Sequence, residues 1–551
     1  MPRKKRVLFV TEASYLSSGY ATYTREIMNR LHDSGKYDLA ELSGYGSVDD
    51  DRRSSIKWRN YPNMPEESNK EHCSVYNSSK VNQFGSWRFE RVCLDFEPDI
   101  VLSIRDYWMD SFIYHSPFRR IFQWVWMPTV DAAPQNNEWL SVFSDVDYLL
   151  TYSEWASNVL KKQAGNSLNL CGVASPSASD CFRPMDKASI REEFGVDNNV
   201  KIIGTVMRNQ RRKLYPLLFE AFSEYIHSSG LTNTYLYCHT SYPDNGWNIA
   251  GLLNEHNISS RVLFSYVCSS CKNLEVCYFR DAARRCGKCR KFDSRPSSVG
   301  SGVSDEKLAK IYNLFDFYIQ CANSEGFGLP QVEAAACGIP LASVEYSAMD
   351  DLVYRAGAYP LKVQSLYKEL ETGCYRATPE KESIVNTFRS FFSKKTKDQQ
   401  IELARSTRRQ FEENYSWDKS AGVWSDIIDR SEYADWKQPT RIIQTPSNPA
   451  NDLSNAAFMQ FVSDNYLYNE SHKNSQFVAS LHRDLNRGVT GGSFDGFFST
   501  ENSPISDSTK TPLTREKLLT FFRRRLDNYN IWESVRNDRS KLIDCEEKWL
   551  N

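Results

Sequence analysis

The chain has 551 residues, too many for one ordinary hydrophobic core, so two domains with additional material are expected. Its 68 Lys and Arg offset 69 Asp and Glu, which excludes a global field steering it to nucleic acid or an anionic membrane; such contacts must come from local patches. No apolar run approaches the roughly 20 residues needed to cross a bilayer and none resembles a signal peptide, so a cytoplasmic protein without a membrane span is expected.

In chain order, the opening MPRKKR sits directly against the strand-like VLFVTE, where charges commonly just flank a strand. RVLFV precedes the amphipathic YTREIMNRL, PDIVLSI is a further strand, and VDYLLTYS precedes EWASNVLKKQ. A polar, Pro-containing break covers Gly172 to Asn199. After it, NVKIIGTV precedes KLYPLLFEAFSEYI, and TYLYCH, RVLFSYV, KLAKIYNLFDFYIQC and GIPLASV continue the alternation. Strands alternating with helices predict α/β architecture: two doubly wound, parallel-sheet halves over residues 1–198 and 199–430, with ligands at the carboxyl ends of the strands. Residues 266–297 interrupt the second half as an insertion on a loop. Residues 431–551 form a helix-rich extension, within which GVTGGSFDGFFSTENSPISDSTKTP carries no regular pattern.

Two stretches carry the chemistry. In NSEGFGLPQVEAAACGIP, Glu325 and Glu333 bracket Gly326, Phe327, Gly328 and Leu329 ahead of a helix-forming run. Glycines admit a ligand close to the backbone, the first helical N–H groups are free to dock hydroxyls or phosphates, and each carboxylate can accept paired sugar hydroxyls. In GTVMRNQRRK, Arg208 and Lys213 follow a strand end, with Arg211 and Arg212 either solvated or facing an acceptor.

These motifs resemble the family 4 retaining glycosyltransferases of the GT-B fold, in which two Rossmann-like domains face a cleft. The E-x7-E pattern is matched by Glu325 and Glu333. The resemblance implies that Glu325 faces the transferred sugar, Glu333 holds the nucleotide ribose, and Arg208 and Lys213 hold the donor diphosphate of a nucleotide sugar, UDP-sugar above all. It further implies that Gly19 and Tyr20, opening a helix after the first strand, offer backbone N–H groups to the diphosphate. CGVASPSASDCFRP resembles the family's interdomain segment, with Ala174 where Asp is usual, and NYSWDKSAGVW its final crossing helix. The reaction so implied uses no protein nucleophile and no catalytic metal. Asp106 in SIRDYW and Asp131 in MPTVDAAPQ follow N-terminal strands and are candidates to orient an acceptor. Asp49 to Asp51 contain a formal D-x-D, but in a polar loop without supporting context, and Gly300-Ser301-Gly302 leads into Ser304, a helix cap.

The insertion holds two C-x2-C knuckles, Cys268/Cys271 and Cys286/Cys289, a spacing that predicts a structural zinc with all four positions filled. Cys277 is spare or a substitute ligand. The other cysteines, of fourteen in all, fit free thiols in a reducing compartment. Lys272, Arg280, Arg284, Arg285, Lys288, Arg290, Lys291 and Arg295 outnumber Glu275, Asp281 and Asp293, so the module either grips phosphates or is a solvated surface. The H-x-E that precedes P-C-x-x-C in zinc deaminases is missing. An embedded zinc ribbon resembles glycosyltransferases of tailed phages, which implies duplex DNA bearing hydroxymethylcytosine-type bases as acceptor, with Arg284 and Arg285 toward it and Arg523 to Arg525 a further basic patch. Transfer to a cell-surface or lipid-linked glycan and a non-catalytic nucleic-acid-binding protein on the same scaffold are the alternatives.

Overall fold

A computed structural model describes residues 3–298, 302–437, 443–447, 452–466, 475–488 and 513–538. The segment GVTGGSFDGFFSTENSPISDSTKTP lies outside them apart from Gly488, as do Gly300 and Ser301; Ser304 is the N-cap of helix Asp305–Asn313, as expected.

The apolar runs of the first half become β1 (Lys5–Glu12), β2 (Tyr37–Gly44), β3 (Arg59–Pro62), β4 (Ile100–Ser103), β5 (Gln123–Trp126), β6 (Tyr148–Thr151) and β7 (Leu170–Val173). They form one sheet in the order β3-β2-β1-β4-β5-β6-β7, every neighbouring pair parallel. Val7, Leu8, Phe9 and Val10 are all buried because helices cover both faces, as a parallel sheet requires. The opening charges flank this sheet: Arg3 pairs with Asp99 at 2.6 Å and Arg6 with Glu97 at 3.1 Å. Asp50 caps a short turn and pairs with Arg52 at 2.7 Å, as befits a loop rather than a metal site.

The second half supplies β8 (Lys201–Val206), β9 (Thr234–His239), β10 (Val262–Cys268), β11 (Leu274–Tyr278), β12 (Ser294–Pro296), β13 (Phe317–Ile319), β14 (Leu341–Val344) and β15 (Tyr359–Leu361). β10-β9-β8-β13-β14-β15 is a second parallel sheet. A two-stranded antiparallel hairpin, β16 (Val363–Lys368) and β17 (Tyr375–Pro379), follows it. Helix Trp417–Arg430 returns to the first domain, where Trp424 Nε1 donates to the Tyr23 hydroxyl at 2.8 Å and Lys5 Nζ to the Ile428 carbonyl at 2.8 Å.

The cysteine insertion differs from the loop expected of it. Val262 to Phe264 of β10 pair with β9, Leu263 to Val267 pair antiparallel with β11, and Tyr266 to Cys268 pair antiparallel with β12, so the module is a continuation of the sheet edge. The alternation in LEVCY is too short to be told from loop text in sequence.

The C-terminal extension is helical, as expected: Asn455–Tyr466, Ser475–Arg487 and Arg515–Asn537. Phe458, Met459, Val462, Leu518, Phe522 and Trp532 join the same apolar cluster as Trp124, Trp126 and Phe143, so the extension completes the first domain's core. Arg523 and Arg525 lie within that packed helix, Arg523 Nε donating to the Tyr466 hydroxyl at 3.3 Å and the Arg525 guanidinium 5.9 Å from the Phe521 ring. Among the described residues, no helix is long and apolar enough to cross a membrane.

Candidate active site

Glu325 lies in the loop between β13 and helix Leu329–Ala336. Its carboxylate is buried, in contact with Lys213 Nζ, and accepts from Gln320 Nε2 at 2.8 Å. Its own N–H donates to Ser347 Oγ at 3.0 Å, and Ser347 is held at φ +56°, a conformation that L side chains rarely adopt. Lys213 is fixed by its backbone: it bridges Ala322, and its carbonyl accepts from Trp247 Nε1 at 2.7 Å. Burial, with the Arg212 guanidinium second, pushes the Lys213 ammonium below its ordinary value, and the carboxylate of Glu325 against it favours the charged form.

The loop glycines have steric reasons. A Cβ on Gly326 would stand 2.4 Å from Thr129 Cγ2, a residue of the opposite domain, so the two halves meet here. Gly328, at φ +100°, is the N-cap of helix Leu329–Ala336 and offers no side-chain cap; Pro330 carries no N–H and the Gln331 N–H donates to the Gly328 carbonyl at 2.9 Å, so Leu329 supplies the N–H at this end of the helix. Phe327 is buried 6.1 Å from the Tyr415 ring. Glu333 lies one turn along that helix, buried, accepting from the Tyr312 hydroxyl at 2.8 Å; burial pushes it up to about 8.

The basic run after β8 divides between two carboxylates. Arg208 pairs with Asp244 through Nε at 2.7 Å and Nη2 at 3.1 Å, whereas Lys213 is held against Glu325. Arg211 is exposed. Arg212 instead faces the cleft, 3.7 Å from the Glu325 carboxylate.

On the N-terminal side, Gly19 opens helix Gly19–Asp33 in free space, with Ser18 as N-cap accepting from the Ala21 N–H. The Tyr20 hydroxyl hydrogen-bonds Thr129 Oγ1 at 2.7 Å and also reaches Asp106. Burial, with the charge of Asp131 second, pushes Asp106 up to about 7. Asp131 is bound by Arg376 of β17 at 2.6 Å. The sequence gives no sign of this partner, because a single Arg in CYRATP belongs to no motif.

The four cysteine sulfurs of the module lie within 4.8 Å of one another, and Cys277 is outside the group, on β11 against the domain core. Cys268 and Cys289 sulfurs are 3.5 Å apart, Cys271 and Cys286 3.7 Å. Zn–S bonds of ~2.3 Å at tetrahedral angles require about 3.8 Å, so the set fits zinc. The knuckles repeat one another. Lys272 N–H donates to the Cys268 carbonyl and Arg290 N–H to that of Cys286, with Lys272 at φ +55° and Arg290 at φ +64°. Of the two cations expected to face an acceptor, Arg284 is half-buried with its guanidinium 5.3 Å from the Tyr266 ring, whereas Arg285 is exposed.

Residues 298–414 match the family described as Glycosyl transferases group 1. No curated protein matches the chain in sequence. In three dimensions the chain is similar to sucrose-phosphate synthase from Thermosynechococcus elongatus (15% identity, TM-score 0.56), covering 78% of this chain and 99% of that one. It is similar to a glycosyltransferase from Rickettsia africae (14%, TM-score 0.54; 78% and 98%) and to Anabaena HepE in complex with UDP and glucose (11%, TM-score 0.53; 77% and 99%). The fold is therefore GT-B, as expected. The enzyme class expected from the sequence, a glycosyltransferase, is supported by the group 1 match over residues 298–414.

Proposed function

We propose that this chain is a retaining glycosyltransferase that moves a sugar from a nucleoside diphosphate, UDP above all, to the hydroxyl of a hydroxymethylcytosine-type base in duplex DNA, of the kind tailed phages carry, in a cytoplasmic setting. The observation that carries the donor half is the buried Lys213–Glu325 pair under the glycine loop, facing Arg212 across the cleft floor. Glu325 takes the sugar hydroxyls and Glu333 the ribose. Lys213 stabilises the diphosphate, joined by Arg208 once it leaves Asp244, and the N–H groups of Gly19, Tyr20 and Leu329 supply further donors. The bond from the sugar C1 to the diphosphate oxygen breaks with its electron pair on the phosphate. The acceptor oxygen bonds C1 on that same face, and its proton passes to the departing phosphate oxygen. The chain contributes positioning and charge stabilisation.

The acceptor reading rests on the module. Lys272, Arg280, Arg285, Lys288, Arg290, Lys291 and Arg295 are exposed and, among the described residues, none forms an ion pair. The module's acids are already engaged: Glu275 accepts from Gly287 N–H at 2.7 Å and Ser294 Oγ at 2.9 Å, Asp293 from Ser270 Oγ at 2.5 Å, and Asp281 from the Tyr242 hydroxyl at 3.0 Å. Phe292 and Tyr278 stand exposed among these cations, a mixture suited to phosphates and bases. A structural zinc on the four cysteines holds this surface in shape. The target base is flipped out to reach the cleft, which costs a few kcal/mol.

The test incubates the protein with a panel of nucleotide sugars and with hydroxymethylated or unmodified duplex DNA, then digests the DNA to nucleosides. A sugar-sized mass increment on the modified base, with release of nucleoside diphosphate, is expected. Diphosphate release with a glycan acceptor alone removes DNA as acceptor; no release with any acceptor removes the enzyme reading.

A further inference from the structure

The hairpin of β16 and β17 extends from the donor domain just beyond its last parallel strand, and its outer face is exposed: Leu366 is 50% and Leu370 97% accessible. Arg376, opposite Tyr367 in the hairpin register, turns inward and is buried. One nitrogen, Nη1, donates to Asp131 Oδ2 at 2.6 Å and to Ser324 Oγ at 2.6 Å. The remaining nitrogens, Nε and Nη2, donate to Glu369 at 3.0 and 2.7 Å, so Arg376 keeps a counter-charge within its own hairpin whatever Asp131 does. Ser324 precedes Glu325 directly, and Asn323 is tied to the same hairpin, its side chain donating to the Tyr367 hydroxyl at 2.8 Å and its carbonyl accepting from Ala377 N–H at 3.0 Å. Next door, Tyr375 N–H donates to the Ala133 carbonyl of the first domain at 2.9 Å.

A single guanidinium thus binds the loop that presents Glu325 and a carboxylate of the opposite domain. We propose that Arg376 is a positioning residue for sugar transfer, fixing the acceptor half against the donor loop through Asp131 and Ser324. It touches neither donor nor acceptor in this role, which rests on the glycosyltransferase reading above. The attacking oxygen must lie at contact distance from the sugar C1, and misplacement by ~1 Å lowers the rate about 100-fold. Water, small and not held by the acceptor half, escapes that requirement.

The experiment compares the full chain with Arg376→Gln, Arg376→Lys, Asp131→Asn and the Arg376→Gln/Asp131→Asn double variant. Three quantities are read: UDP affinity by calorimetry, the ratio of sugar transfer to hydrolysis of the donor, and the ligand-free radius of gyration by X-ray scattering. Arg376→Gln should leave UDP affinity within about twofold while transfer falls about 100-fold and hydrolysis persists. Arg376→Lys should recover part of the transfer, and the double variant should be no worse than the worse single one, because both remove one tie. The variants lacking the tie should be more expanded. UDP affinity falling in step with transfer, or independent losses multiplying in the double variant, overturns the proposal. Should Arg376→Gln fail to fold, Asp131→Asn reads the same tie from the other side. Failure of the wild type to turn over any nucleotide sugar defeats the enzymatic reading, whereas unchanged scattering in every variant defeats the tie.

Discussion

The Tyr312 hydroxyl donates to the Glu333 carboxyl at 2.8 Å, with both groups buried beneath helix Leu329–Ala336. Burial pushes Glu333 up to about 8, so near neutrality the free chain carries it largely protonated. Ribose hydroxyls donating to this group favour the carboxylate and lower its pKa, so nucleotide binding near pH 7 should release up to one proton per chain. Release should fade above pH 8, where the group is already ionised. Titration calorimetry in buffers of different ionisation enthalpy measures this, and equal release by Glu333→Gln would refute it. The sign for folding is opposite to that of a salt-bridged acid. The unfolded chain ionises Glu333 near its ordinary value, so this group's contribution to stability is complete at low pH and lost as the pH rises through about 8. Glu333→Gln should therefore flatten the fall in melting temperature between about pH 4.5 and 8.

Lys213 and Glu325 make a second buried partnership, whose two ends are not equivalent to solvent-exposed charges. Truncating Lys213 to Ala leaves the Glu325 carboxylate enclosed with Gln320 and a 3.7 Å contact to Arg212 as its remaining partners, at a cost of about 3–5 kcal/mol. Lys213→Met combined with Glu325→Gln removes both charges and should recover much of that loss. Denaturant unfolding should rank wild type and the double variant above Lys213→Ala, while nucleoside diphosphate release is lost in both variants. A double variant less stable than Lys213→Ala would mean that the pair itself stabilises the cleft.

What the sequence makes legible follows from what is local. The parallel sheets are readable because each strand is a short apolar run and each helix an amphipathic one, and the E-x7-E loop is readable because its glycines and carboxylates are adjacent. The two knuckles are readable because metal ligands must recur at fixed spacing. Partners brought together by folding are not. Arg208 is 36 positions from Asp244 and Arg376 is 245 from Asp131, so neither ion pair has a local signature. The C-terminal extension reads as separate helical pieces, yet Phe458 and Trp532 bury against the first domain's tryptophans. Arg212 and Arg211 are indistinguishable in the text QRRK; the bridge of Lys213 to Ala322 places one in the cleft and leaves the other exposed.

The cysteine module shares β10 with the parallel sheet, so metal removal should act on the fold in a graded way. About one zinc per chain is expected by metal analysis, and Cys268→Ser with Cys286→Ser should abolish it. Amide exchange should then accelerate in β11 and β12, whose pairing depends on the knuckles, while β8 and β13 in the sheet centre keep their protection. Uniform loss of protection across the donor domain, or protection of β11 and β12 unchanged by chelation, would refute this arrangement.

Asp106 gives the cleft its own pH response. Tyr20 and Thr129 hydrogen-bond it, Arg212 lowers its pKa, and burial together with Asp131 raises it, to about 7 in balance. An ionised Asp106 orients the incoming acceptor by accepting from its hydroxyl, whose hydrogen then turns to the departing phosphate oxygen, so acceptor kcat/KM should rise with pH through about 7 and level off above it. Asp106→Asn should abolish this limb as well as most of the transfer. Asp131→Asn offers the sharper test, because removing the like charge lowers the Asp106 value and should carry the midpoint of the limb to lower pH. Its amplitude falls too, since the tie to Arg376 is lost, but amplitude and midpoint are separate readings. A midpoint that moves upward in Asp131→Asn, or one unmoved by Asp106→Asn, would assign the titration to another group.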